Sequence, residues 1–228
     1  MDAGPGGAQS TAVAATGARS PDESYSVSGV VHSLATLRSL AIIISCFASA
    51  MLMADDMLII DDRRTGGFES ALGSAWRIVT DDVMGGVSSG EISLHTIDHR
   101  PCLCLQGDVR LENSGGFIQA VLDIENTDAA DASAYSGILL EVYGNDEEYN
   151  LHLRTDDVWL PWQSYRASFS APARWQTMRL PFAQFSGYRI GKKLDLENLE
   201  RIGLVAIGRA FTADLCIAKL ALYRDEPG

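Results

Sequence analysis

The chain has 228 residues, 46% of them hydrophobic and 21% charged, and a formal net charge of −12. That composition supports a globular core, and the length suits one large β domain or two small ones. With three lysines only (Lys192, Lys193 and Lys219) and no basic run, the acidic chain repels polyanions at long range, which excludes nucleic-acid binding.

Residues 1–31 are rich in Gly, Ala, Ser and Thr and hold too little apolar surface to fold, so they are expected to be disordered. Arg38 then precedes an apolar run from Leu40 to Ala54, closed by Asp55 and Asp56. A positive segment, a short apolar stretch and small residues at its end describe a secretory signal over residues 32–54, with an uncleaved hydrophobic anchor as the alternative. A comfortable membrane span takes about 20 apolar residues, more than this run supplies. Ala48-Ser49-Ala50 offers a small-x-small cleavage site and Ala54 a second, so the expected mature chain starts near Met51 or Asp55 and is periplasmic. Because signals stand at an extreme N-terminus, the reading also expects a true start near Val30 or Val31. The anchor alternative would leave the protein membrane-associated through residues 40–54. Residues 55–65 read as a linker or as a first edge strand, Met57 to Ile60.

From Trp76 onward short apolar stretches alternate with turn signals. Strands are expected over Trp76–Thr80, Ser89–His95, Cys102–Gln106, Gly116–Ile124, Gly137–Tyr143, Tyr149–Arg154, Ser164–Ser170, Trp175–Pro181, Ile202–Gly208 and Leu215–Tyr223. Tyr149-Asn-Leu-His-Leu-Arg154 alternates strictly, the pattern of a sheet wet on one side. Helical periodicity is weak; Pro181–Phe185 and Asp195–Arg201 each suit a single turn. Nearly ten antiparallel strands from residue 66 to residue 228 predict an all-β domain of two packed sheets, a sandwich or jelly roll. Cys102 and Cys104 stand two apart on one strand, share a face and are poorly placed to bridge each other. Three buried free cysteines is the favoured reading; one of the pair bonded to Cys216 in an exported domain is the other.

The most informative string is Trp76-Arg-Ile-Val-Thr-Asp81-Asp82-Val-Met84-Gly85-Gly86-Val-Ser88-Ser-Gly90. Paired glycines allow positive φ and close backbone approach. Asp81 or Asp82 can cap the freed amides of such a turn, and Met84 can plug the end of a sandwich core. This string resembles the signature of the complex I intermediate-associated protein 30 family. The resemblance continues in order through Gly115-Gly116-Phe117, Gly137 to Gly144, Tyr149 to Arg154, Tyr165 to Phe169, Trp175 to Phe185 and Leu199 to Gly208. Ala213-Asp214-Leu215 departs from the Gly-x-Phe entry to the family's closing strand. The resemblance implies a galactose-binding-like jelly-roll β-sandwich, close in shape to a carbohydrate-binding module. It also implies a chaperone-like assembly factor without catalysis, whose partner is a protein, a respiratory complex I subunit in the mitochondrial members.

Asp81 with Asp82, and Asp156 with Asp157, are tempting carboxylate pairs, but adjacent strand residues point to opposite faces. The chain has no nucleophile elbow, no phosphate loop and no His-Glu-x-x-His, so no catalytic residue, metal or cofactor is expected. Two binding surfaces are candidates. One is the loop of Asp81, Asp82, Met84, Gly85, Gly86 and Ser88. The other is Asp156, Asp157, Trp159, Trp162 and Tyr165, where aromatic faces can stack on sugar rings and carboxylates can accept hydroxyl hydrogen bonds. At least one aromatic of the second group is expected to be exposed beside Asp156 or Asp157. The lead expectation is therefore a non-catalytic assembly factor, and the alternative an exported carbohydrate-binding module.

Overall fold

The computed structural model describes residues 57–225. Disorder, signal, anchor and cleavage, the expectations for residues 1–54, lie outside the described residues. The strands are β1 (Met57–Asp61), β2 (Arg77–Thr80), β3 (Ser89–Ile97), β4 (Arg100–Val109), β5 (Phe117–Asp123) and β6 (Gly137–Tyr143). They continue with β7 (Glu147–Thr155), β8 (Ser164–Ala171), β9 (Gln176–Pro181), β10 (Ser186–Tyr188), β11 (Leu199–Ile207) and β12 (Phe211–Tyr223).

The period of two in the sequence sets the layering. On β7, Tyr149, Leu151 and Leu153 turn inward while His152 and Arg154 face the other way. On β6, Ile138, Leu140 and Val142 do the same. The first sheet has the order β3-β4-β12-β6-β9, with β1 also paired to β12, and the second has the order β10-β8-β7-β11-β5-β2. Strand pairing is antiparallel throughout. Leu103, Leu105, Leu140 and Leu215 of the first sheet meet Ile118, Leu122, Leu151 and Leu204 of the second in one buried core. The fold is a jelly-roll β-sandwich.

Several local expectations change. The segment after residue 55 opens as a strand, because β12 is long enough to pair with β4 over Phe211–Ile217 and then with β1 over Leu220–Tyr223. Beyond it, the buried Asp61 carboxylate accepts a 2.7 Å hydrogen bond from Trp76 Nε1 and pairs with the buried Arg63 guanidinium at 2.5 Å. Residues 195–198 form no helical turn. Asp195 instead accepts from the Glu197 amide and from Asn198 Nδ2, and the chain enters β11 at Leu199. A 3₁₀ turn does form at Phe182–Gln184.

The cysteines are not all free. Cys104 and Cys216 are register partners on β4 and β12 and form a disulfide, while Cys102 keeps its thiol. The register explains this, since directly opposed residues on neighbouring strands bring their Cβ atoms into bonding range. All three sulfurs lie on the outer face of the first sheet, under Ile97, Tyr143 and Trp175. Burial pushes the Cys102 thiol above its ordinary pKa. Among the described residues no helix is long and apolar enough to cross a membrane.

Candidate functional site

The first candidate loop is an internal clamp. Asp81 opens a 3₁₀ turn, Asp81–Met84, and is fully buried. Its carboxylate accepts from the Ser88 amide at 2.9 Å, Ser88 Oγ at 2.5 Å, the Gly116 amide at 2.5 Å and the Phe117 amide at 3.4 Å. Burial raises its pKa, but these hydrogen bonds outweigh burial and hold it below the ordinary value. The glycines are explained by this carboxylate. A Cβ on Gly86 would lie 2.2 Å from Asp81 Cγ, and one on Gly115 would lie 2.3 Å from Asp81 Oδ2. Gly85 turns the chain at φ +86°. Asp81 and Ser88 therefore bind the protein itself, while Asp82, exposed, accepts from Thr80 Oγ1. Met84 is 49% exposed and plugs no core, because the turn projects it outward. Gly85→Val is expected to cost about 1–3 kcal/mol through strain at positive φ, measured by urea unfolding.

The second candidate loop is divided between inside and outside. Tyr165 is core: it lies on β8, is 1% exposed and donates from its hydroxyl to the Lys193 carbonyl. Trp159 and Trp162 precede β8 and are 86% and 44% exposed. Asp156 and Asp157 do not join them. Asp157 accepts from Thr155 Oγ1 and pairs with Lys192 at 3.0 Å, contacts that hold its carboxyl below the usual range. Asp156 is exposed, and neither carboxylate lines the surface that the tryptophans line.

That surface is a groove of about 690 Å³ across the outer face of the second sheet. Val121 and Val205 pave its floor, Val83, Met84 and Leu111 stand on one side, and Trp159, Pro161 and Trp162 stand on the other. The Asp81 clamp carries the first rim. Arg154 carries the second, donating through Nη1 to the Leu160 and Gln163 carbonyls and through Nη2 to the Val158 carbonyl. Among the described residues four arginines line the groove (Arg77, Arg154, Arg166 and Arg201) and no carboxylate does. Asp123 at its edge takes both Arg77 and Arg201, so two cations share one anion. A local positive surface thus sits on an acidic protein. Arg166 stacks 3.7 Å over the Tyr188 ring and donates to the Trp162 carbonyl.

His152 on β7 lies in this floor, buried, with its Nε2 lacking any hydrogen-bond partner. Arg166 Nε donates to Ser164 Oγ, which lies 3.4 Å from His152 Nδ1. Ser164 then has its own proton to give to Nδ1, the arrangement that leaves the ring proton on Nε2 as an unmatched donor. Ser164 and His152 resemble two members of a catalytic triad, but among the described residues no carboxylate orients the imidazole. Burial, helped by the neighbouring Arg166 cation, lowers the His152 pKa to about 3. The folded imidazole stays neutral where the unfolded one takes a proton near pH 6.5. Its contribution to stability is fully present above pH 6.5 and is lost as the pH falls toward 3. Urea unfolding at pH 7 and pH 5 is expected to show this loss, and His152→Gln to reduce the difference.

Sequence reasoning missed His152 and the arginines as site residues. The alternation over Tyr149–Arg154 was a signal for His152, since it already put that ring on the wet face. The arginines come from β2, β7, β8 and β11 and meet only through sheet register.

Solved structures share the fold at low identity. The family 11 carbohydrate-binding module of a cellulosomal cellulase of Clostridium thermocellum aligns with TM-score 0.60 and 13% identity, over 74% of this chain and 95% of that one. The same module in complex with a β-1,3-1,4-mixed-linked tetrasaccharide gives TM-score 0.60 and 13% identity, over 75% and 97%. An exo-β-agarase gives TM-score 0.50 and 10% identity over 75% of this chain but only 25% of its own. No curated protein matches the chain in sequence. The family model for complex I intermediate-associated protein 30 matches residues 67–217, from the loop after β1 into β12 and across both rims of the groove. The chain belongs to the complex I intermediate-associated protein 30 family.

Proposed function

We propose that the domain is a non-catalytic recognition module of the assembly-factor kind, which holds a protein partner against the groove over the second sheet. The observation that carries this reading is the exposure of Trp159 and Trp162 opposite Val83, Met84 and Leu111. Large apolar groups gathered at one exposed place mark interaction sites, and Trp, Tyr and Arg dominate interface anchors. Family membership supports a subunit or intermediate of a respiratory complex as the partner. The non-catalytic part of the reading rests on family membership.

A second reading puts a saccharide chain in the groove. It is favoured by the free indole face of Trp159 and by the unmatched Nε2 donor of His152. The floor is a sheet face with its backbone amides already paired, which suits rings and side chains better than an added peptide strand. Its fold relative binds a mixed-linked tetrasaccharide. Export of the domain, proposed from residues 32–54, goes with this reading.

Trp159→Ala and Trp162→Ala separate the readings. Each is expected to unfold within about 0.5 kcal/mol of wild type, because exposed side chains contribute little to stability. On the first reading, both variants lose a respiratory-complex subunit that wild type retains on purification from its own cells and that mass spectrometry identifies. Retardation of wild type in gels containing mixed-linked β-glucan, abolished by the same substitutions, would overturn that reading in favour of the second.

A further inference from the structure

The three sulfurs on the first sheet are a feature the groove does not use. Cys102, Cys104 and Cys216 lie within 4.8 Å of one another and are all buried. They sit on the face of the sheet turned away from the core, where β-strands ordinarily present polar side chains. A dedicated cover encloses them. Trp175 donates from Nε1 to the Ile97 carbonyl at 3.2 Å and meets Tyr143 edge to face at 5.7 Å. Arg100 stands 5.5 Å over the Trp175 ring. Two of the sulfurs are bonded, yet the third stays in contact, with Cys102 Sγ 3.8 Å from Cys104 Sγ.

We infer that, once the Cys104–Cys216 bond is reduced, Cys102, Cys104 and Cys216 form a three-thiolate site for one soft monovalent metal ion, Cu(I), and that oxidation closes it. The spacing supports the number of ligands. Metal–thiolate bonds of about 2.3 Å put two sulfurs on one ion roughly 3.8–4.0 Å apart, the separation Cys102 and Cys104 already have. Reduction lets Cys216 move out of bonding distance into the same non-bonded spacing. No fourth His, Cys, Asp or Glu joins the cluster among the described residues. Soft thiolates with a low coordination number select Cu(I) over Zn(II), which takes four ligands.

The chemistry balances with a dithiol as reductant. Two electrons and two protons pass to the Cys104–Cys216 bond, giving two thiols and the cyclic disulfide of the reductant. Metal entry then releases the thiol protons to solvent. Closure runs the other way: the ion leaves, and Cys104 and Cys216 pass two electrons and two protons to a two-electron oxidant such as an azo compound, which becomes the hydrazine.

The test uses the full chain with Cys46→Ser as background, since Cys46 is the only other cysteine. Protein reduced with dithiothreitol and desalted without oxygen is titrated with Cu(I) against bicinchoninate, whose copper complex is coloured. The expected result is one equivalent of Cu(I) withdrawn by reduced protein and none by protein oxidised with diamide. Cys102→Val keeps an apolar side chain in the covered site, and its melting curve reports folding separately. This variant is expected to lose at least tenfold in Cu(I) affinity. Reduced protein that leaves all the copper with bicinchoninate overturns the inference, as does wild-type affinity in folded Cys102→Val. Equal retention of Zn(II) overturns the assignment of the metal.

Discussion

Asp61→Ala is expected to destabilise the domain by about 3–5 kcal/mol, the usual cost of leaving one member of a buried ion pair unpartnered. Asp61 and Arg63 are both buried, and the guanidinium also reaches the Gly67 carbonyl. Removing the carboxylate strands the Arg63 charge and deprives Trp76 Nε1 of its 2.7 Å acceptor. Trp76 is itself buried against the core, so the loss spreads from the β1–β2 connection into the sandwich. At about 2–4 °C per kcal/mol for a domain of this size, the melting temperature should fall by roughly 10 °C. Asp61→Ala combined with Arg63→Met should recover part of that loss, because no unpaired charge is then left buried. A double variant as unstable as Asp61→Ala would show that the charge imbalance is not the cause.

Asp81→Ala is expected to cost about 3 kcal/mol or more, since each buried donor left without an acceptor costs roughly 1–3 kcal/mol. The amides of Ser88, Gly116 and Phe117 lose this acceptor, while the Ser88 hydroxyl keeps the Arg110 carbonyl at 3.2 Å. Asp82→Ala, one residue along and exposed, should change stability by no more than about 0.5 kcal/mol. The pair of variants separates an internal clamp from a general need for acidic residues in this turn. Asp81 also has a pH signature. Its folded pKa is depressed, so its contribution is present above about pH 4 and is lost as the pH falls further, through the folded value. The His152 contribution already begins to fall near pH 6.5, so between pH 6.5 and about pH 4 it changes while that of Asp81 does not. Urea unfolding at pH 7 measures the substitution effect directly.

The sandwich was legible because β-strand alternation is a local property. Ile138, Leu140 and Val142 read as one buried face before any partner strand is known, and so do Tyr149, Leu151 and Leu153. The clamp was half legible. Paired glycines and an aspartate announce a tight turn, and Gly85 supplies the positive φ. That Asp81 also reaches Gly116 and Phe117, 35 and 36 residues on, depends on β2 lying beside β5. The tryptophan loop shows the same limit. Trp159, Trp162 and Tyr165 form one aromatic string in sequence, but β8 begins at Ser164, which puts Tyr165 in the core and leaves the tryptophans on the rim. Asp157 looked like a neighbour of those rings until Lys192, folded in from far along the chain, claimed its carboxylate. The disulfide needed the β4–β12 register, which no spacing between Cys104 and Cys216 spells out.

The central claim is that recognition takes place in the groove over the second sheet. Its most direct measurement is photo-crosslinking from two positions in the protein's own cells. A benzophenone side chain replacing Trp159 lies on the groove rim, and one replacing the exposed Thr177 on β9 lies on the first sheet. The account predicts discrete crosslinked species from position 159, depleted when Trp162→Ala is added, and none shared with position 177. Identical species from both positions, or none from position 159, would contradict it.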